Sequence, residues 1–322
     1  MRWHRLTVAG DGPGPRSSHA AAAAGGALFV YGGELQPRVP VDAALFELFE
    51  LADDGPGPRV AAGMAAVGSK IYLFGGRTGV EMGEGARDDL WELDTAAPSP
   101  SWRISPCTRG APPPARSYHA VAAAAGRVYV FGGCGAGGRL RDLWRYDPRE
   151  AAWEEMPAAP EGALPRGGAA LVASPEGDAL FVLGGFSGRE LGDCHAFDTA
   201  ARAWRPAPEI PPRSVFGAAV HACGGGGGGG CRHAGHVVLF GGEVDPSTQG
   251  HAGAGGFSAE VHCIDPKRGD THAVTPAPDA AAGAPCARGW FASASVGGSL
   301  VVCGGVDTAN VRLDDVWVLA HA

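Results

Sequence analysis

Short runs of apolar residues that end in two glycines recur along the chain. Six such runs can be aligned, namely LFVYGG, IYLFGG, VYVFGG, LFVLGG, VVLFGG and LVVCGG. A continuous apolar run of this length is typical of a strand that is buried on both faces. The two glycines allow the end of the strand to bend sharply and a neighbouring backbone to come close. The pattern therefore predicts six buried strands, each with a special turn at its end.

The residues around these glycine pairs repeat as well. Polar and aromatic strands follow several pairs, as in RDDLWELD, LRDLWRYD and LGDCHAFD, and each is followed by a further tryptophan, at Trp102, Trp153 and Trp204. Each unit is thus expected to contain four short strands. Upstream of each pair stands an arginine, at an offset of 16 residues in four of the six units: Arg16, Arg59, Arg116, Arg166, Arg213 and Arg288.

These units predict an all-β, six-bladed propeller in a single domain over residues 1–322. One four-stranded sheet cannot bury both of its faces, whereas six sheets arranged radially pack face to face and leave only short edges. The N-terminal WHRLTV supplies the tryptophan strand that the last unit, ending RLDDVWVL, lacks, so the N-terminal strand is expected to complete the last blade. The expected blades are 16–58, 59–106, 116–157, 166–208, 213–276, and 288–319 together with 2–8.

Two units depart from the pattern. The first has too few residues between LFELFEL and Arg59 for a regular outer strand, and the fifth has His272 where a tryptophan is expected. Both departures indicate a loss of packing contacts and do not indicate an added functional residue.

Charge and composition narrow the range of partners. The formal net charge is -8, which argues against a nucleic-acid groove or an anionic membrane surface as the main partner. No apolar stretch of about 18 residues is present to span a bilayer, and the N terminus lacks the apolar core of a secretory signal. We therefore expect a soluble protein located in the cytoplasm, with the nucleus left open. The eight cysteines have no framework spacing, which predicts mostly reduced thiols.

Cysteine and histidine also cluster in one glycine-rich stretch, HACGGGGGGGCRHAGH. Both residue types are good zinc ligands, but seven consecutive glycines cannot hold ligands in place. We interpret residues 221–236 as a flexible insertion between the first two strands of the fifth unit, on the face away from the binding loops. The cluster consists of His221, Cys223, Cys231, His233 and His236.

The repeat unit is similar to the Kelch motif, and the whole chain resembles one group of Kelch proteins more narrowly. This group is the plant specifier proteins of glucosinolate breakdown, which comprises nitrile-specifier, epithiospecifier and thiocyanate-forming proteins, with their close Kelch relatives. The stretches that carry the resemblance are RSSHA, GGELQPR, GGR, RSYHA, VFGGCGAGGRL, RGG, GGF, RSVF, GGEVDPSTQGHAGAG, RGW and NVRLDD.

The resemblance implies a pocket built from the loops after the glycine pairs and the loops before the innermost strands. There the family binds Fe(II) and an unstable thiohydroximate O-sulfate. By motif, Arg77 and Arg139 match the arginines that grip the sulfate, a role suited to a planar and permanently charged donor fork. Tyr118 and Trp290 match aromatic positions of the pocket. The structural alternatives are loop salt bridges for the arginines and packing between blades for the two aromatic residues.

The resemblance also implies a metal site in GGEVDPSTQGHAGAG. The family pattern is Glu-x-x-x-Asp-x-x-x-His, a ligand set that suits Fe(II) with open coordination positions. Glu243 and His251 keep this spacing, but Ser247 stands at the Asp position and the nearest carboxylate is Asp245. The expected metal ligands are therefore Glu243, Asp245 and His251. The alternative is a turn in which Asp245 bonds to backbone amides.

Three functions follow as hypotheses. The first is a metal-dependent, lyase-like specifier activity that forms nitriles from a sulfated substrate. The second is a propeller that binds a small anionic ligand without metal. The third is a protein-interaction module that uses the same loop face, with a homodimer left open. No nucleophile elbow or phosphate-binding loop is found where strands and helices could present it, so nucleophilic hydrolysis and nucleotide chemistry are not expected.

Overall fold

The structure is a computed structural model. Throughout the described part of the chain the regular secondary structure is β-strand, and none of it is helical. Accordingly, these residues contain no helix that is long and apolar enough to cross a bilayer. The all-β prediction is confirmed. The described residues are 1–8, 10, 12–41, 45–46, 55–81, 83–221, 235–247, 255–266 and 268–320.

The strands are short and are numbered in chain order. They are β1 (Arg2–Leu6), β2 (Ala20–Ala24), β3 (Ala27–Tyr31), β4 (Glu34–Gln36), β5 (Val39–Pro40), β6 (Leu45–Phe46), β7 (Gly63–Val67), β8 (Lys70–Phe74), β9 (Leu90–Asp94), β10 (Trp102–Ile104), β11 (Ala120–Ala124), β12 (Arg127–Gly135), β13 (Gly138–Asp147), β14 (Ala152–Glu155), β15 (Ala170–Ala173), β16 (Ala179–Leu183), β17 (Cys194–Asp198), β18 (Ala203–Ala207), β19 (Gly217–Val220), β20 (Val237–Phe240), β21 (Glu243–Asp245), β22 (Gly256–Phe257), β23 (Val261–Asp265), β24 (Asp270–Val274), β25 (Arg288–Gly289), β26 (Ala292–Val296), β27 (Ser299–Asp307) and β28 (Arg312–Ala320).

Neighbouring strands pair antiparallel into sheets that follow one another along the chain. One sheet, β2-β3-β6, has three strands among the described residues. Residues 47–54, which follow β6, lie outside the described part of the chain. Small ribbons form from β4-β5 and from β21-β22. The five larger sheets are β7-β8-β9-β10, β11-β12-β13-β14, β15-β16-β17-β18, β19-β20-β23-β24, and a last one in which β25 and β26 pair with β27, β27 with β28, and β28 with β1.

The N-terminal strand lies where the sequence predicts it. β1 pairs with β28 along its whole length, with Trp3 opposite Leu319. Trp3 is buried and contacts Trp317 edge to face, with 6.4 Å between ring centroids. The first strand of the chain is therefore the outermost strand of the last sheet.

Adjacent sheets pack face to face through their second strands. In β16 every residue is buried. Leu180 belongs to a cluster that contains Phe131 of the preceding sheet, whereas Leu183 belongs to a cluster that contains Leu239 of the following sheet. Successive side chains of a strand point to opposite faces, so β16 is covered on both. This explains why the apolar runs are continuous instead of alternating.

The repeated arginines fasten the glycine pairs. In every unit the arginine Nη1 donates to the carbonyl oxygen of the first glycine of its own pair, at 2.8 to 3.1 Å. In the described part of the chain, five of these arginines also pair with an acidic residue on the third strand or directly before it. Arg116, for example, is fully buried and contacts both carboxylate oxygens of Asp142 at 2.7 Å. Such charge-assisted forks are strong and directional, so the arginine repeat is structural. The acidic partners are Asp89, Asp142, Asp193, Glu260 and Asp315.

Each glycine pair also binds the next unit of the chain. The amide of the second glycine donates to the carbonyl oxygen of the following repeated arginine, for example from Gly133 to Arg166 at 2.8 Å. The last bond of this series runs from Gly305 to Arg16 at 2.9 Å, so the series returns to its beginning. A Cβ atom on Gly304 would lie 2.8 Å from the Arg16 carbonyl oxygen, which explains the need for glycine there. The sheets therefore form a β-propeller.

Candidate functional site at the loop end of the propeller

The residues that directly follow the glycine pairs lie at one end of the propeller. Each pairs through its backbone with the residue that directly follows a repeated arginine. Repeated backbone pairing thus places six unlike side chains in equivalent positions. They are Glu34, Arg77, Cys134, Phe186, Glu243 and Val306.

A second set of equivalent residues surrounds the axis at the same end. Each has a left-handed backbone and donates its amide to the carbonyl oxygen of the preceding member, at 2.7 to 3.0 Å, and the series closes from Ser18 to Trp290. Positive φ angles are uncommon for residues other than glycine and are often found at functional sites. The members are Ser18, Ala61, Tyr118, Gly168, Val215 and Trp290.

The two predicted aromatic residues belong to this second set and touch each other. The rings of Tyr118 and Trp290 meet edge to face, with 5.5 Å between centroids and 82° between planes. Burial raises the pKa of the Tyr118 hydroxyl, and the charge of Glu34 raises it further, while Arg77 partly offsets the rise. The structure therefore brings Tyr118 and Trp290 together as one aromatic wall at the loop end.

Arg77 is buried against this wall. It is 3% exposed, and its guanidinium carbon lies 5.2 Å from the centroid of the Tyr118 ring. Its Nη1 donates to the Glu81 carbonyl oxygen at 3.0 Å, and its Nε has no hydrogen-bond partner among the described groups. No described carboxylate forms an ion pair with Arg77. The salt-bridge alternative for this residue therefore has no support in the described residues.

Arg139 lies at the start of β13 and is half-buried. Its guanidinium carbon is 4.8 Å from the centroid of the Phe186 ring, and no described acidic side chain pairs with it. Cys134 lies opposite Arg139 in the β12–β13 ladder. Burial raises the pKa of the Cys134 thiol, and the charges of Arg139 and Arg77 both work against this rise. Both predicted arginines are thus near enough to this one buried thiol for their charges to act on it.

Two buried carboxyl groups lie in the loops of the fourth and fifth sheets. Glu190 is 9% exposed and Glu243 is 7% exposed. Burial raises the pKa of Glu190 to about 8, the Ser214 hydroxyl opposes this, and the charge of Glu243 adds to it. The pKa of Glu243 is also raised, mainly by burial and further by the charge of Asp245, although the Ser247 amide donates to this carboxylate at 3.4 Å. Neither acid has a described basic partner.

Glu34 is a third buried carboxylate and is well satisfied. It is 2% exposed and accepts hydrogen bonds from the hydroxyls of Ser17 and Ser18 at 3.3 and 3.1 Å. The Arg38 amide donates to it at 2.5 Å, and Arg312 Nη2 lies 3.8 Å away. Glu34 therefore has the partners that a buried carboxylate needs, in contrast to Glu190.

The predicted metal ligands have different surroundings. Glu243 is a buried carboxylate without a basic partner, which fits a cation ligand, whereas Asp245 is exposed. His251 lies outside the described residues. Within the described chain no three His, Cys, Asp or Glu side chains converge as a metal site. The ligand set of Glu243, Asp245 and His251 stays a prediction.

The glycine-rich insertion begins and ends at the opposite end of the fifth sheet, between β19 and β20. His221 and His236 flank it, while Cys223, Cys231 and His233 lie outside the described residues. His236 contacts Cys263 Sγ through Nδ1 at 3.3 Å and Asp265 Oδ2 through Nε2 at 3.3 Å. These contacts use opposite edges of the imidazole ring. The described cysteines are all free of disulfides.

Four residues of the site are absent from the sequence-based prediction: Glu34, Cys134, Phe186 and Glu190. A signal for three of them is present, because Glu34, Cys134 and Phe186 directly follow a glycine pair, as Arg77 and Glu243 do. Glu190 has no such signal, since it follows its glycine pair at a distance and reaches the site through the irregular loop between β16 and β17.

The radial sheets, the glycine pairs with their arginines, and a polar loop end define a Kelch-type propeller. Sequence comparison agrees, because residues 38–224 match the KLHDC2/KLHL20/DRC7 Kelch-repeats domain. This match covers more than half of the chain, and the protein therefore belongs to this Kelch-repeat family.

Individual relatives differ in what their names describe. A protein of Thlaspi arvense named N-(sulfonatooxy)prop-2-enimidothioate sulfolyase is 28% identical over 97% of this chain and 94% of its own length. The leucine-zipper-like transcriptional regulator 1 homolog of Drosophila melanogaster is 24% identical over 98% of this chain but only 27% of its own length. The solved structure of YjhT superimposes with a TM-score of 0.69 at 16% identity, over 95% of both chains, and this likeness concerns the fold alone.

Proposed function

We propose that the protein binds a small sulfated organic anion at the loop end and directs its breakdown, as a lyase-like specifier. The observation that carries this proposal is that Arg77 and Arg139 both lie near Cys134, each against an aromatic ring and without a described carboxylate partner. The name of the Thlaspi arvense relative, a sulfolyase similar over almost the whole chain, supports it. The substrate class is then a thiohydroximate O-sulfate.

The role proposed for the arginines is to stabilise a developing negative charge. A sulfate group that departs gains negative charge, and guanidinium groups already in place stabilise that charge without reorganisation. The guanidinium groups of Arg77 and Arg139 lie against the rings of Tyr118 and Phe186, a cation–π contact that needs no carboxylate partner. Tyr118 and Trp290 would confine the organic part of the substrate. Fe(II), when bound, supplies a Lewis acid, and Glu243 is the described residue best placed to hold it.

We also infer that the β2-β3-β6 sheet is a sixth blade, so that the propeller has six. Two closed series of backbone hydrogen bonds support this count. The glycine-to-arginine series and the series of left-handed residues each take six steps to return to their start, and one step in each belongs to the β2-β3-β6 sheet. We also propose the blade boundaries predicted from the sequence and a cytoplasmic location.

The experiment that tests the function measures products. The protein is added, with and without Fe(II), to a glucosinolate and its hydrolase, and the ratio of nitrile to isothiocyanate is determined. We expect the ratio to rise with the wild type and with Arg141→Met, and not with Arg77→Met or Arg139→Met. Arg141 is a matched control because it lies on the same strand but donates to the Glu161 carbonyl oxygen. An unchanged ratio with the wild type would rule out the enzymatic function.

A second candidate function, protein binding, rests on the apolar rim of the same end. Of the ten exposed large apolar side chains in the described chain, six lie on its loops and are 38 to 54% exposed. Patches of this kind often mark interaction sites. A second copy of the chain is the first partner to test, by sedimentation velocity of the wild type and of a Leu35→Asp, Val311→Asp double variant. The six residues are Leu35, Val39, Val41, Val80, Val244 and Val311.

A further inference from the structure

We propose that Glu190 and Glu243 together form a binding site for a divalent cation between the fourth and fifth sheets, and that Asp245 is not one of its ligands. This inference deepens the proposed function, since it names the second carboxylate of the cation site at the same end of the propeller. Glu190 belongs to a different sheet from the expected ligands, and it replaces the carboxylate that the sequence lacks at Ser247.

Backbone pairing brings the two acids to one place. The Arg213 amide donates to the Leu191 carbonyl oxygen at 3.1 Å, which sets Glu190 beside Ser214. Ser214 in turn exchanges two hydrogen bonds with Glu243, at 2.9 and 2.8 Å. Glu190 and Glu243 therefore approach Ser214 from neighbouring sheets, and the charge of Glu243 reaches Glu190.

The carboxylate of Glu190 lacks the partners that burial requires. Both of its oxygen atoms are buried, and no described group meets hydrogen-bond geometry to either of them; the Ser214 hydroxyl is the one described group close enough to favour the charged form. No described lysine or arginine pairs with Glu190 or with Glu243. Burying a carboxylate without a partner is costly, and Glu34 shows that this protein does supply partners elsewhere at the same end. A bound cation would remove this deficit.

A divalent ion fits these groups better than a monovalent one. Two carboxylates neutralise a charge of two, and carboxylate and hydroxyl oxygens are ligands that hard divalent cations accept. Such ions often keep several water molecules and need only one or two protein carboxylates, so a third side chain is not required. Asp245 is exposed, and solvent therefore satisfies its charge without a metal.

The test measures Mn(II) binding directly, by titration followed with electron paramagnetic resonance. We expect saturable binding to the wild type, a loss of affinity of about tenfold or more in Glu190→Gln and in Glu243→Gln, and little change in Asp245→Asn. Gln keeps the shape of the side chain without its charge. Tryptophan fluorescence and thermal unfolding verify that each variant is folded, and Glu190→Ala serves as a second variant at this position.

Two results would overturn the inference. One is a folded wild-type protein that binds no Mn(II) at millimolar concentration, in which case a proton alone neutralises the pair. The other is a loss of binding in Asp245→Asn with unchanged binding in Glu190→Gln. Binding of inorganic sulfate is measured on the same samples. The arginines expected to bind sulfate, Arg77 and Arg139, belong to other sheets, so the loss of sulfate binding and the loss of Mn(II) binding can be told apart.

Discussion

Arg116 and Arg139 belong to the same sheet and have opposite surroundings. Arg116 is fully buried, bonds both oxygens of Asp142 at 2.7 Å and also binds the Gly132 carbonyl oxygen at 3.0 Å. Arg139 is half-buried, lies on the Phe186 ring and has no described acidic partner. All of the charge of Arg116 is used within the fold, whereas no described carboxylate pairs with Arg139. The comparison teaches that the repeated arginines build the propeller and that Arg139, at the loop end, has no such structural partner.

The largest expected effect is on stability, at Arg116. Arg116→Met removes one partner of a buried ion pair and leaves Asp142 and the Gly132 carbonyl oxygen without their donor. We expect the free energy of unfolding to fall by about 3 to 5 kcal/mol, measured by chemical denaturation. Arg116→Lys keeps the positive charge but not the two parallel hydrogen bonds to Asp142. Its unfolding free energy should lie between those of the wild type and Arg116→Met. A loss below about 1 kcal/mol for Arg116→Met would contradict a structural role.

Acid should weaken the same ion pairs. Burial raises the pKa of Asp142, but the hydrogen bonds and charge of Arg116 outweigh this and hold it below the ordinary 3.8. A depressed folded-state pKa means that the stabilisation is complete above pH 3.8 and is lost as the pH falls through the folded-state value. The unfolding free energy of the wild type should therefore decrease in this range more steeply than that of Asp142→Asn. Equal slopes for the two proteins would count against the account.

At the loop end the expected result for stability is reversed. Arg77 is a buried charge without a described acidic partner, so Arg77→Met should leave the unfolding free energy unchanged or raise it by about 1 kcal/mol or more. Thermal unfolding of the two proteins at equal concentration checks this. A large loss of stability would show that Arg77 belongs with the structural arginines.

The smallest effect is expected at the weakest fork. Arg213 contacts Glu260 once, at 3.4 Å, and the glutamate side chain is 65% exposed. Glu260→Gln should lower the unfolding free energy by less than about 1 kcal/mol, as for other exposed pairs. The same measurement on Asp142→Asn provides the comparison, since Asp142 is only 21% exposed and makes two contacts. A loss of unfolding free energy for Glu260→Gln as large as that for Asp142→Asn would show that contact geometry does not determine how much each arginine–acid pair stabilises the fold.

Much of the fold could be predicted from the chain because its causes are local and repeated. An apolar run with two glycines specifies a buried strand and its turn wherever it occurs, and the unpaired WHRLTV strand indicated its place beside β28. The function of the repeated arginine was not predicted. Its partners, a glycine carbonyl and an acid such as Asp142, lie on other strands of the sheet, and only the folded register brings them together.

The site could be predicted only in part. Tyr118, Trp290, Arg77 and Arg139 carry motifs, and the structure places Tyr118 against Trp290 and both arginines near enough to Cys134 for their charges to act on it. The approach of Glu190 to Glu243 depends on how two neighbouring sheets meet, which no local pattern records. The missing acid at Ser247 likewise says nothing about a carboxylate supplied from another sheet.

The central claim is that Arg77 and Arg139 form an anion site, and isothermal titration with an alkyl sulfate ester tests it most directly. The account predicts saturable binding to the wild type and to Arg141→Met, and a loss of about tenfold or more in Arg139→Met, equivalent to about 1.4 kcal/mol. Equal affinity of Arg139→Met and the wild type would contradict the account.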